Sequence, residues 1–434
     1  MKRNEHTNWG LNTFYNKKIF YPKNLIELKR YIKKNKKNLG ICGNLRSYGD
    51  TCINKSKLIS LKKFEKKIKL FKNKKFMHVS SNFLLLDVLK KIVPYGFMIP
   101  VTPGSKYVTI GGMISNNVIG KLSKNNQLRY YIRKLEILTP GNKIIICSPY
   151  KNKKLFNLTV GGFGLTGTIL SAEIKLKKIK NQFINQEISK FNNISEFIKL
   201  SKKKSTFSVS WVDTHSIINN NFKGLFYFGE YNSTKQNFKK FYFKNLNMDY
   251  FSRIFLILYI KIFAFSEIIN FIFYHFKRKK TTVTFDNFFY PQDKWLDWNR
   301  CYKNGFIVIQ FLVKEKKFRI VIEKIGNFLK SNKIKSNFII IKRISESGNY
   351  LDFFGNGYSI SFDFEKNENY NKIKNFFNSI VNKFELKVNL SKDIILNHKI
   401  IKPQKTYIRF KKELSSLDRN NVYNNLFSKR LKIK

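Results

Sequence analysis

Apolar and polar positions alternate with two different periods along the first 178 residues. Apolar residues recur every three or four positions in segments 22–36 and 84–92, a spacing typical of amphipathic helices. Two short apolar runs, 134–138 and 143–147, flank the turn sequence Thr-Pro-Gly-Asn and predict a β-hairpin. Further apolar runs predict strands at 39–42, 58–61, 76–79 and 172–178. This part of the chain is therefore predicted to form an α+β domain.

The pattern changes after residue 178, where glycines become rare. Helical stretches then alternate with strands predicted at 207–211, 306–313 and 338–342. This alternation predicts a second domain over residues 179–385, with an antiparallel sheet flanked by helices. The remaining segment, 386–434, is polar and basic and has helical periodicity around 422–431.

One segment is apolar enough to raise the question of a membrane. Residues 251–276 are rich in Ile, Phe, Leu and Tyr, and a Lys-Arg-Lys-Lys run follows at 277–280. Lys261 and Glu267 interrupt the segment, so no run reaches the roughly 18 apolar residues of a spanning helix. Two interpretations fit, a buried helical hairpin or an amphipathic helix on a membrane surface with its basic end at the headgroups. We favour the membrane surface.

The expected location follows from the start of the sequence. The first ten residues are polar and lack an apolar core, so no secretory signal is predicted. We expect a cytoplasmic protein without a spanning helix, and the apolar segment allows peripheral contact with the inner face of the membrane.

The charge is strongly basic, with 84 Lys and Arg against 27 Asp and Glu, a net charge of +57. Such a charge can indicate a nucleic-acid partner. The basic residues are spread through every segment, however, and Lys, Asn, Ile and Phe are all frequent, as A/T-rich codons would produce. We therefore expect no nucleic acid, but a surface that attracts anionic lipids and anionic substrates.

The potential metal ligands are few and scattered. The five histidines do not cluster, and the cysteines have no ligand spacing; they are Cys42, Cys52, Cys147 and Cys301. We therefore predict no metal site, no disulfide framework and a reducing compartment.

Three glycine-rich turns carry the candidate chemistry. Turn one (residues 43–50) follows a predicted strand, and its successive backbone N–H groups could form a nest for a pyrophosphate. Turn two (102–112) and turn three (161–167) contain glycine pairs that let a ligand approach the backbone closely. None fits the Walker pattern or the dinucleotide-binding glycine motif. Each turn alone is weak evidence for a ligand site. The order of all three turns and their separation along the chain are more informative.

Together, the turns resemble the FAD-binding domain of the vanillyl-alcohol-oxidase (PCMH-type) flavoproteins and, within them, decaprenylphosphoryl-β-D-ribose-oxidase-like proteins. In the first half, the resemblance rests on Trp-Gly at 9–10, Arg-Ser-Tyr-Gly-Asp at 46–50, and segments 100–104, 108–112, 120–121 and 159–167. In the second half it rests on segments 289–291, 297–300, 305–306, 310–311 and 390–393. The resemblance implies an FAD-binding domain of two subdomains at 1–178, a substrate (cap) domain at 179–385, and a segment 386–434 that returns to the FAD domain.

The resemblance also implies which residues hold FAD. Turn one would wrap the pyrophosphate through Gly43, Asn44, Leu45, Arg46, Ser47, Tyr48, Gly49 and Asp50. The ribityl chain and the ring would follow Gly104, Thr109, Ile110, Gly111, Gly112, Asn116, Asn117, Val118 and Ile119. Ile169 and Asn389 would line the adenine or the isoalloxazine side. Because turn one contains no histidine, we expect FAD to be bound non-covalently.

The implied catalytic residues are Lys392, beside the flavin near the hydroxyl to be oxidised, and Tyr48. A cation at this place could stabilise the reduced cofactor and hold the substrate hydroxyl. Substrate would contact Tyr290, Arg300, Gln310 and Ser361. Structural alternatives stay open: a solvated lysine for Lys392, ordinary packing for Tyr290 and Gln310, and for Arg300 a salt bridge with Asp297 or Asp293.

The sequence departs from the family pattern at three positions. Leu45 stands where a glycine is usual, which narrows the permitted backbone geometry. Ile119 replaces a histidine, which removes a titratable group beside the flavin, and Ser361 replaces a cysteine of the substrate pocket.

The expected function is therefore that of an FAD-dependent oxidoreductase that acts on CH–OH groups. The preferred reaction is oxidation of a sugar hydroxyl to a ketone on a polyprenyl-phosphate-linked pentose, with a separate keto-sugar reductase as partner. One alternative is a soluble aldonolactone oxidase. The other is a flavin-free relative that binds membranes or nucleic acid, to which the changes at Leu45 and Ile119 and the high charge would point.

Overall fold

A computed structural model describes residues 6–236 and 239–434. The N-terminal domain combines short strands with four helices. Its strands are β1 His6–Thr7, β2 Phe14–Tyr15, β3 Leu39–Cys42, β4 Lys57–Ser60, β5 Ile68–Phe71, β6 Phe76–Ser80, β7 Phe97–Met98, β8 Ile132–Leu138, β9 Ile144–Cys147, β10 Thr168–Lys175 and β11 Lys177–Lys178. Its helices are α1 Leu25–Lys34, α2 Leu85–Ile92, α3 Ile110–Ser115 and α4 Lys153–Thr159.

This domain has the two parts that the predicted fold requires. Strands β3 and β4 pair in parallel, and α1 packs Leu28 and Ile32 against them. The other part is a five-stranded antiparallel sheet of order β5-β6-β10-β8-β9, in which β8 and β9 form the predicted hairpin. Helices α2 and α3 bury their apolar sides against this second sheet. The mixed α+β class predicted from the sequence is confirmed.

An eight-stranded antiparallel sheet of order β15-β12-β14-β13-β17-β18-β16-β19 dominates the second half. Its strands are β12 Phe183–Phe191, β13 Phe207–Val212, β14 Gly224–Tyr231, β15 Lys280–Thr284, β16 Phe306–Val313, β17 Phe338–Glu346, β18 Gly355–Glu365 and β19 Lys387–Val388. The helices in this half are α5 Ile194–Ser201, α6 Thr214–Ile218, α7 Tyr250–Lys261, α8 Phe263–His275, α9 Phe285–Phe289, α10 Glu315–Ser331 and α11 Tyr370–Phe384.

The central strands of this sheet are buried on both faces. Alternate residues of β16 and β18, such as Phe311 and Phe362, join the large core beneath α5, α10 and α11. The residues between them, including Gln310, Ser361 and Asp363, point to the opposite face because side chains alternate along a strand. This second face looks towards the glycine-rich turns.

The C-terminal segment packs against the first domain. It contains α12 His398–Ile401, α13 Lys405–Leu417 and α14 Leu426–Arg430. The Asn424 amide donates to the Leu39 carbonyl oxygen at 2.8 Å, which extends the edge of β3. The helix predicted around 422–431 begins only at Leu426, because the Asn425 side chain caps it there.

The apolar segment at 251–276 forms two helices, α7 and α8, that bend by 107° at Ile262. Among the described residues, no helix alone has the length and apolar character needed to cross a bilayer, whereas this bent pair taken together does. The segment is thus a helical hairpin, but most of its apolar side chains are exposed or half-buried rather than fully buried.

Candidate active site

A cavity of about 1220 Å³ lies between the N-terminal domain and the second face of the eight-stranded sheet. All three glycine-rich turns contribute to its wall, together with β13, β16, β17 and β18. The far end of the cavity runs beneath α7 and α8. This volume exceeds the roughly 300–1,000 Å³ usual for ligand sites, which suits an extended cofactor and a substrate together.

Turn one follows β3 and presents free donors to the cavity. Within the described ranges, the backbone N–H groups of Asn44, Leu45 and Arg46 have no intramolecular acceptor. Leu45 has φ of 52°, in the left-handed region that favours glycine, so the chain adopts this conformation despite the leucine. Three such amides in succession form a nest for an anionic group such as a pyrophosphate.

Neighbouring segments hold turn one in place. A Cβ on Gly43 would collide with the side chain of Thr109, so turns one and two touch here. A Cβ on Gly49 would lie 2.7 Å from the Asp393 carbonyl oxygen and 3.0 Å from the Lys392 carbonyl carbon. Glycine at 49 therefore lets the loop that carries Lys392 pack directly against turn one.

The ligand-facing wall has open space and unsatisfied acceptors. A Cβ on Gly104 or Gly164 would meet no atom within 4 Å, and both residues line the cavity. The side-chain oxygens of Asn82 and Asn116 also belong to wall residues and are buried without a partner in the described structure. Buried acceptors without partners are costly unless a ligand supplies donors. These features fit a large polar cofactor such as FAD.

A buried ion cluster fixes the base of the site. Arg430 donates to both carboxylate oxygens of Asp50, at 2.8 and 3.1 Å, and to Asp393 at 2.9 Å. Asp393 in turn accepts from the backbone amides of Ile395 and Leu396, at 3.0 Å each. Asp50, the last residue of turn one, does not line the cavity and so does not reach towards a ligand. Through Arg430 it connects turn one to α14 and to the loop that carries Asp393.

Lys392 lies in the cavity wall, with its Nζ 5.4 Å from the centroid of the Tyr48 ring. Burial lowers the pKa of Lys392, and the negative charge of Asp363 opposes that shift. Burial raises the pKa of Asp363 to about 7, partly offset by Lys392. Burial also raises the pKa of Tyr48, so this phenol stays protonated near neutral pH. Lys392 is therefore no solvated surface lysine, but a half-buried cation that interacts with a carboxyl group in the cavity wall.

Two more of the seven lysines that line this cavity, Lys121 and Lys342, form a group with Lys392. Burial lowers the pKa of each to about 7, and neighbouring cations contribute: Lys342 acts on Lys121, and Lys392 acts on Lys342. Lys342 Nζ donates to the Gly120 carbonyl oxygen at 3.2 Å, and Lys121 Nζ to that of Phe288. This group of three lysines makes its part of the cavity electropositive and suited to an anionic substrate group.

A hydrogen-bonded row of polar side chains lies beside these lysines. Gln310 Nε2 donates to Ser359 Oγ at 2.7 Å, and Asn389 Nδ2 donates to Gln310 Oε1 at 2.9 Å. Ser391 Oγ donates to Asn389 Oδ1 at 2.7 Å. The amide of Gln310 is thus committed to protein partners and orients this wall. Ser361 also lines the cavity, opposite Gln310 in the strand register.

Most of the predicted site residues meet at this cavity. It is lined by Gly43, Asn44, Leu45, Arg46, Ser47, Tyr48, Gly104, Thr109, Gly111, Gly112, Asn116, Asn117, Val118, Ile119, Ile169, Gln310, Ser361, Asn389 and Lys392. Their roles stay predictions.

Five predicted residues lie elsewhere. Gly49 and Asp50 support turn one from behind, and Ile110 is buried in the core of its domain. Tyr290 is also fully buried in that core, which agrees with the packing alternative. Arg300 is exposed and does not reach the cavity.

The proposed salt bridges of Arg300 are also not formed. Asp297 pairs with Arg253 at 2.5 Å, and Asp293 accepts from the Lys106 backbone amide at 2.6 Å. Arg300 lies in a short 3₁₀ turn at 298–301 that points its side chain to the surface.

The sequence reasoning missed Asp363, Lys121 and Lys342. The signal for Asp363 is the alternation of Ser359, Ser361 and Asp363 with the apolar residues of segment 358–364. Polar residues at every second position of an otherwise apolar strand indicate a face that lines a polar cavity. Lys121 belongs to segment 120–121, on which the resemblance partly rests, but it was given no role in the site. No comparable pattern distinguishes Lys342 from the many other lysines.

Comparison with known proteins agrees with this geometry. Residues 21–148 match the family model described as the FAD binding domain, a range that includes turns one and two. The chain carries an FAD-binding domain. FAD is its cofactor, and the superfamily predicted from the turns is confirmed. This match argues against the flavin-free alternative.

Similar proteins include decaprenylphosphoryl-beta-D-ribose oxidase of Mycolicibacterium smegmatis, 29% identical over 178 residues, which is 39% of each chain. Cytokinin dehydrogenase 1 of Arabidopsis thaliana is 28% identical over 159 residues, 35% of this chain and 27% of the relative. Cytokinin dehydrogenase 2 of the same plant is 33% identical over 106 residues, 24% of this chain and 21% of the relative. The chain thus matches less than two fifths of the length of these relatives.

We expect acid precipitation of the holoprotein to release all of its FAD into the supernatant. No histidine of the described residues lines the cavity, and burial raises the pKa of the Cys42 thiol to about 12, which suppresses the nucleophilic thiolate. Burial raises the pKa of Cys52, the other wall cysteine, as well. Flavin absorbance of the supernatant and of the redissolved pellet measures the outcome. A yellow pellet would contradict non-covalent binding.

Proposed function

We propose that this protein is an FAD-dependent oxidoreductase that oxidises a hydroxyl group of an anionic, amphipathic sugar substrate to a ketone. The preferred substrate is a polyprenyl-phosphate-linked pentose. The observation that carries the proposal is a single cavity that joins the FAD-binding turns, a group of three half-buried lysines and an apolar channel. The ketone product would then be the substrate of a separate reductase.

The polar end of the cavity supplies the chemistry. When bound, FAD would supply the acceptor for the hydride that leaves the substrate carbon. In this proposal Lys392 Nζ donates a hydrogen bond to the substrate hydroxyl, and the Asp363 carboxylate takes up the released proton. A carboxyl group whose pKa is about 7 is suited to proton transfer near neutral pH. Lys121 and Lys342 would hold the phosphate by charge.

The other end of the cavity is apolar and supports a lipid-linked substrate. From the sheet it is lined by Val209, Trp211, Tyr227 and Ile340, and from α8 by Phe273. A soluble sugar lactone would not need such a channel. Burial of polyprenyl methylene groups there would contribute about 0.8 kcal/mol each. The channel thus favours the lipid-linked substrate over the lactone.

Anaerobic mixing of the holoprotein with candidate substrates tests the proposal. A polyprenyl-phosphate pentose should bleach the flavin absorbance and yield a product that is two hydrogens lighter by mass spectrometry. Bleaching by an aldonolactone alone would favour the soluble-lactone alternative. If neither substrate reduces the flavin while dithionite does, the proposed reaction is wrong.

We expect the KM for the anionic substrate to rise as the pH increases through about 7. Lys121 and Lys342, whose pKa values burial lowers to about 7, are cationic below this pH and become neutral above it. Asp363 gains a negative charge over the same range, because burial raises its pKa to about 7. All three changes weaken the attraction for an anion.

Steady-state kinetics from roughly one unit below to one unit above neutral pH measures this dependence. Lys342→Met should raise the KM at low pH and flatten the profile. A wild-type KM that stays constant across this range would contradict the assignment of the lysines to an anionic group.

A further inference from the structure

Helix α8 is attached to the protein by polar side chains. Ser266, Asn270 and Tyr274 recur every four residues and form its buried face, with Ser266 1% and Asn270 3% exposed. Ser266 Oγ is 2.9 Å from His215 Nε2, and Asn270 Nδ2 donates to Asp213 Oδ1 at 2.7 Å. The inner face of this helix is therefore a hydrogen-bonded polar face.

The outer face of α8 is apolar. Ile268 is 58% exposed and Phe271 60% exposed, and Phe263 and Ile272 are also exposed. A helix on the surface of a protein in water normally has the opposite arrangement, with its apolar stripe towards the core. The amphipathicity of α8 is thus inverted, which indicates that the medium outside this face is not water.

Helix α7 and the ends of the hairpin extend the same surface. Nine of the 21 large hydrophobic side chains that are exposed in the described part of the chain lie between Tyr250 and Phe276. Arg253 of α7 is tied to the body by its ion pair with Asp297. Lys335 Nζ donates to the carbonyl oxygens of Tyr259 and Ile262 and so supports the bend between the helices. The hairpin is therefore fixed to the body of the protein and presents a continuous group of exposed apolar side chains.

Charge identifies what covers this surface. Residues 277–280, directly after α8, are Lys-Arg-Lys-Lys, and all four are exposed. Glu267 is the one acidic residue between 250 and 280. An apolar surface bordered by cations matches the acyl region and the headgroups of an anionic bilayer. An anionic bilayer always combines an apolar region with acidic headgroups in this arrangement. Nothing requires a protein partner to be apolar opposite the hairpin and acidic opposite residues 277–280.

We propose that α7 and α8 insert into one leaflet of an anionic membrane, with residues 277–280 at the headgroups. The helices have 12 and 13 residues, about 18 and 20 Å at 1.5 Å per residue. Each is shorter than the roughly 30 Å hydrocarbon core, and the 107° bend directs them apart. The hairpin therefore anchors the protein to one side of the bilayer.

This anchor places the mouth of the cavity at the membrane. Leu256 and Tyr259 of α7 and Phe273 of α8 line the cavity from beneath the hairpin. In the part of the inference that rests on the proposed function, the polyprenyl tail enters between these residues directly from the leaflet. The membrane anchor itself does not depend on that function.

Vesicle flotation of the FAD-loaded full-length protein tests the anchor. We expect flotation with phosphatidylglycerol vesicles and much weaker flotation with phosphatidylcholine vesicles. The double variant Ile268→Asp/Phe271→Asp should lower the partition coefficient at least about tenfold. Both side chains are exposed, so the fold and the flavin spectrum should not change.

Ile26→Asp/Ile408→Asp is the matched control, since it changes two exposed isoleucines in other helices and should float like the wild type. Quenching of a Phe271→Trp variant by bromolipids measures insertion depth.

Three results would overturn the inference: a wild type that does not float, resistance to alkaline extraction as shown by spanning proteins, or a vesicle-free dimer that the Asp variant abolishes. The last result would identify a second copy as the cover. Because binding is measured without turnover, an inactive but membrane-bound protein would refute only the proposed reaction.

Discussion

Replacement of Lys392 by methionine is expected to lower kcat for the sugar substrate about 10²- to 10³-fold. The half-buried ammonium group lies in the cavity wall that Asp363 and Tyr48 also line, 5.4 Å from the centroid of the Tyr48 ring. Methionine keeps the length of the side chain and removes its charge and its donors. FAD content should stay near that of the wild type, because the turns that hold FAD are unchanged. Stopped-flow flavin reduction under anaerobic conditions measures the rate.

The control for this variant is Lys402→Met, which removes an exposed lysine ten residues further along the chain. It should reduce the flavin at the wild-type rate. A Lys392→Met protein that retains FAD and reacts within about twofold of the wild type would exclude Lys392 from the reaction, because transition-state contacts of this kind have larger effects.

Replacement of Arg430 by alanine is expected to destabilise the protein by about 3–5 kcal/mol and to weaken FAD binding. The guanidinium bridges Asp50 of turn one and Asp393 of the Lys392 loop, and its loss leaves two buried carboxylates facing each other. Arg430→Lys should be intermediate, since lysine keeps the charge but loses the two-pronged contact with Asp50. The midpoint of urea unfolding, followed by flavin fluorescence and by circular dichroism, measures both effects.

Arg419→Ala provides the comparison for Arg430, because Arg419 is exposed and makes no ion pair among the described residues. Its unfolding midpoint should lie within about 0.5 kcal/mol of the wild type in free energy. Unfolding of Arg430→Ala at the wild-type urea concentration would show that the ion cluster does not stabilise the base of the site.

Local patterns predicted many of the elements closely. Strand β16 occupies the predicted residues, and α2 begins one residue after the predicted start. Both elements have a strong pattern of apolar residues, and a Pro-Tyr-Gly sequence that ends the helix follows α2. Strand β18 was not predicted, although it is the central strand beside the site. Its glycine-rich start and its alternating serines resemble a loop, and only pairing with β16 and β17 makes it a strand.

The candidate site was predictable to the extent that it is built from contiguous motifs. Turn one indicates an anion nest through its run of small and polar residues, which are adjacent in the sequence. Arg300 was misplaced because a sequence motif does not show which way a short turn points its side chain. Asp363 becomes a candidate only through the position of β18 opposite Lys392.

The sequence by itself determined the α+β class, the three glycine-rich turns and the FAD-binding superfamily, because backbone conformation and close ligand approach require specific residues at contiguous positions. The tertiary structure alone decided which of many lysines enter one cavity, since burial and mutual repulsion depend on residues far apart in the chain. It also decided that α8 turns its polar face inward. Both orientations of an apolar helix have the same composition, and the hydrogen bonds with His215 and Asp213 show which face of α8 lies against the protein.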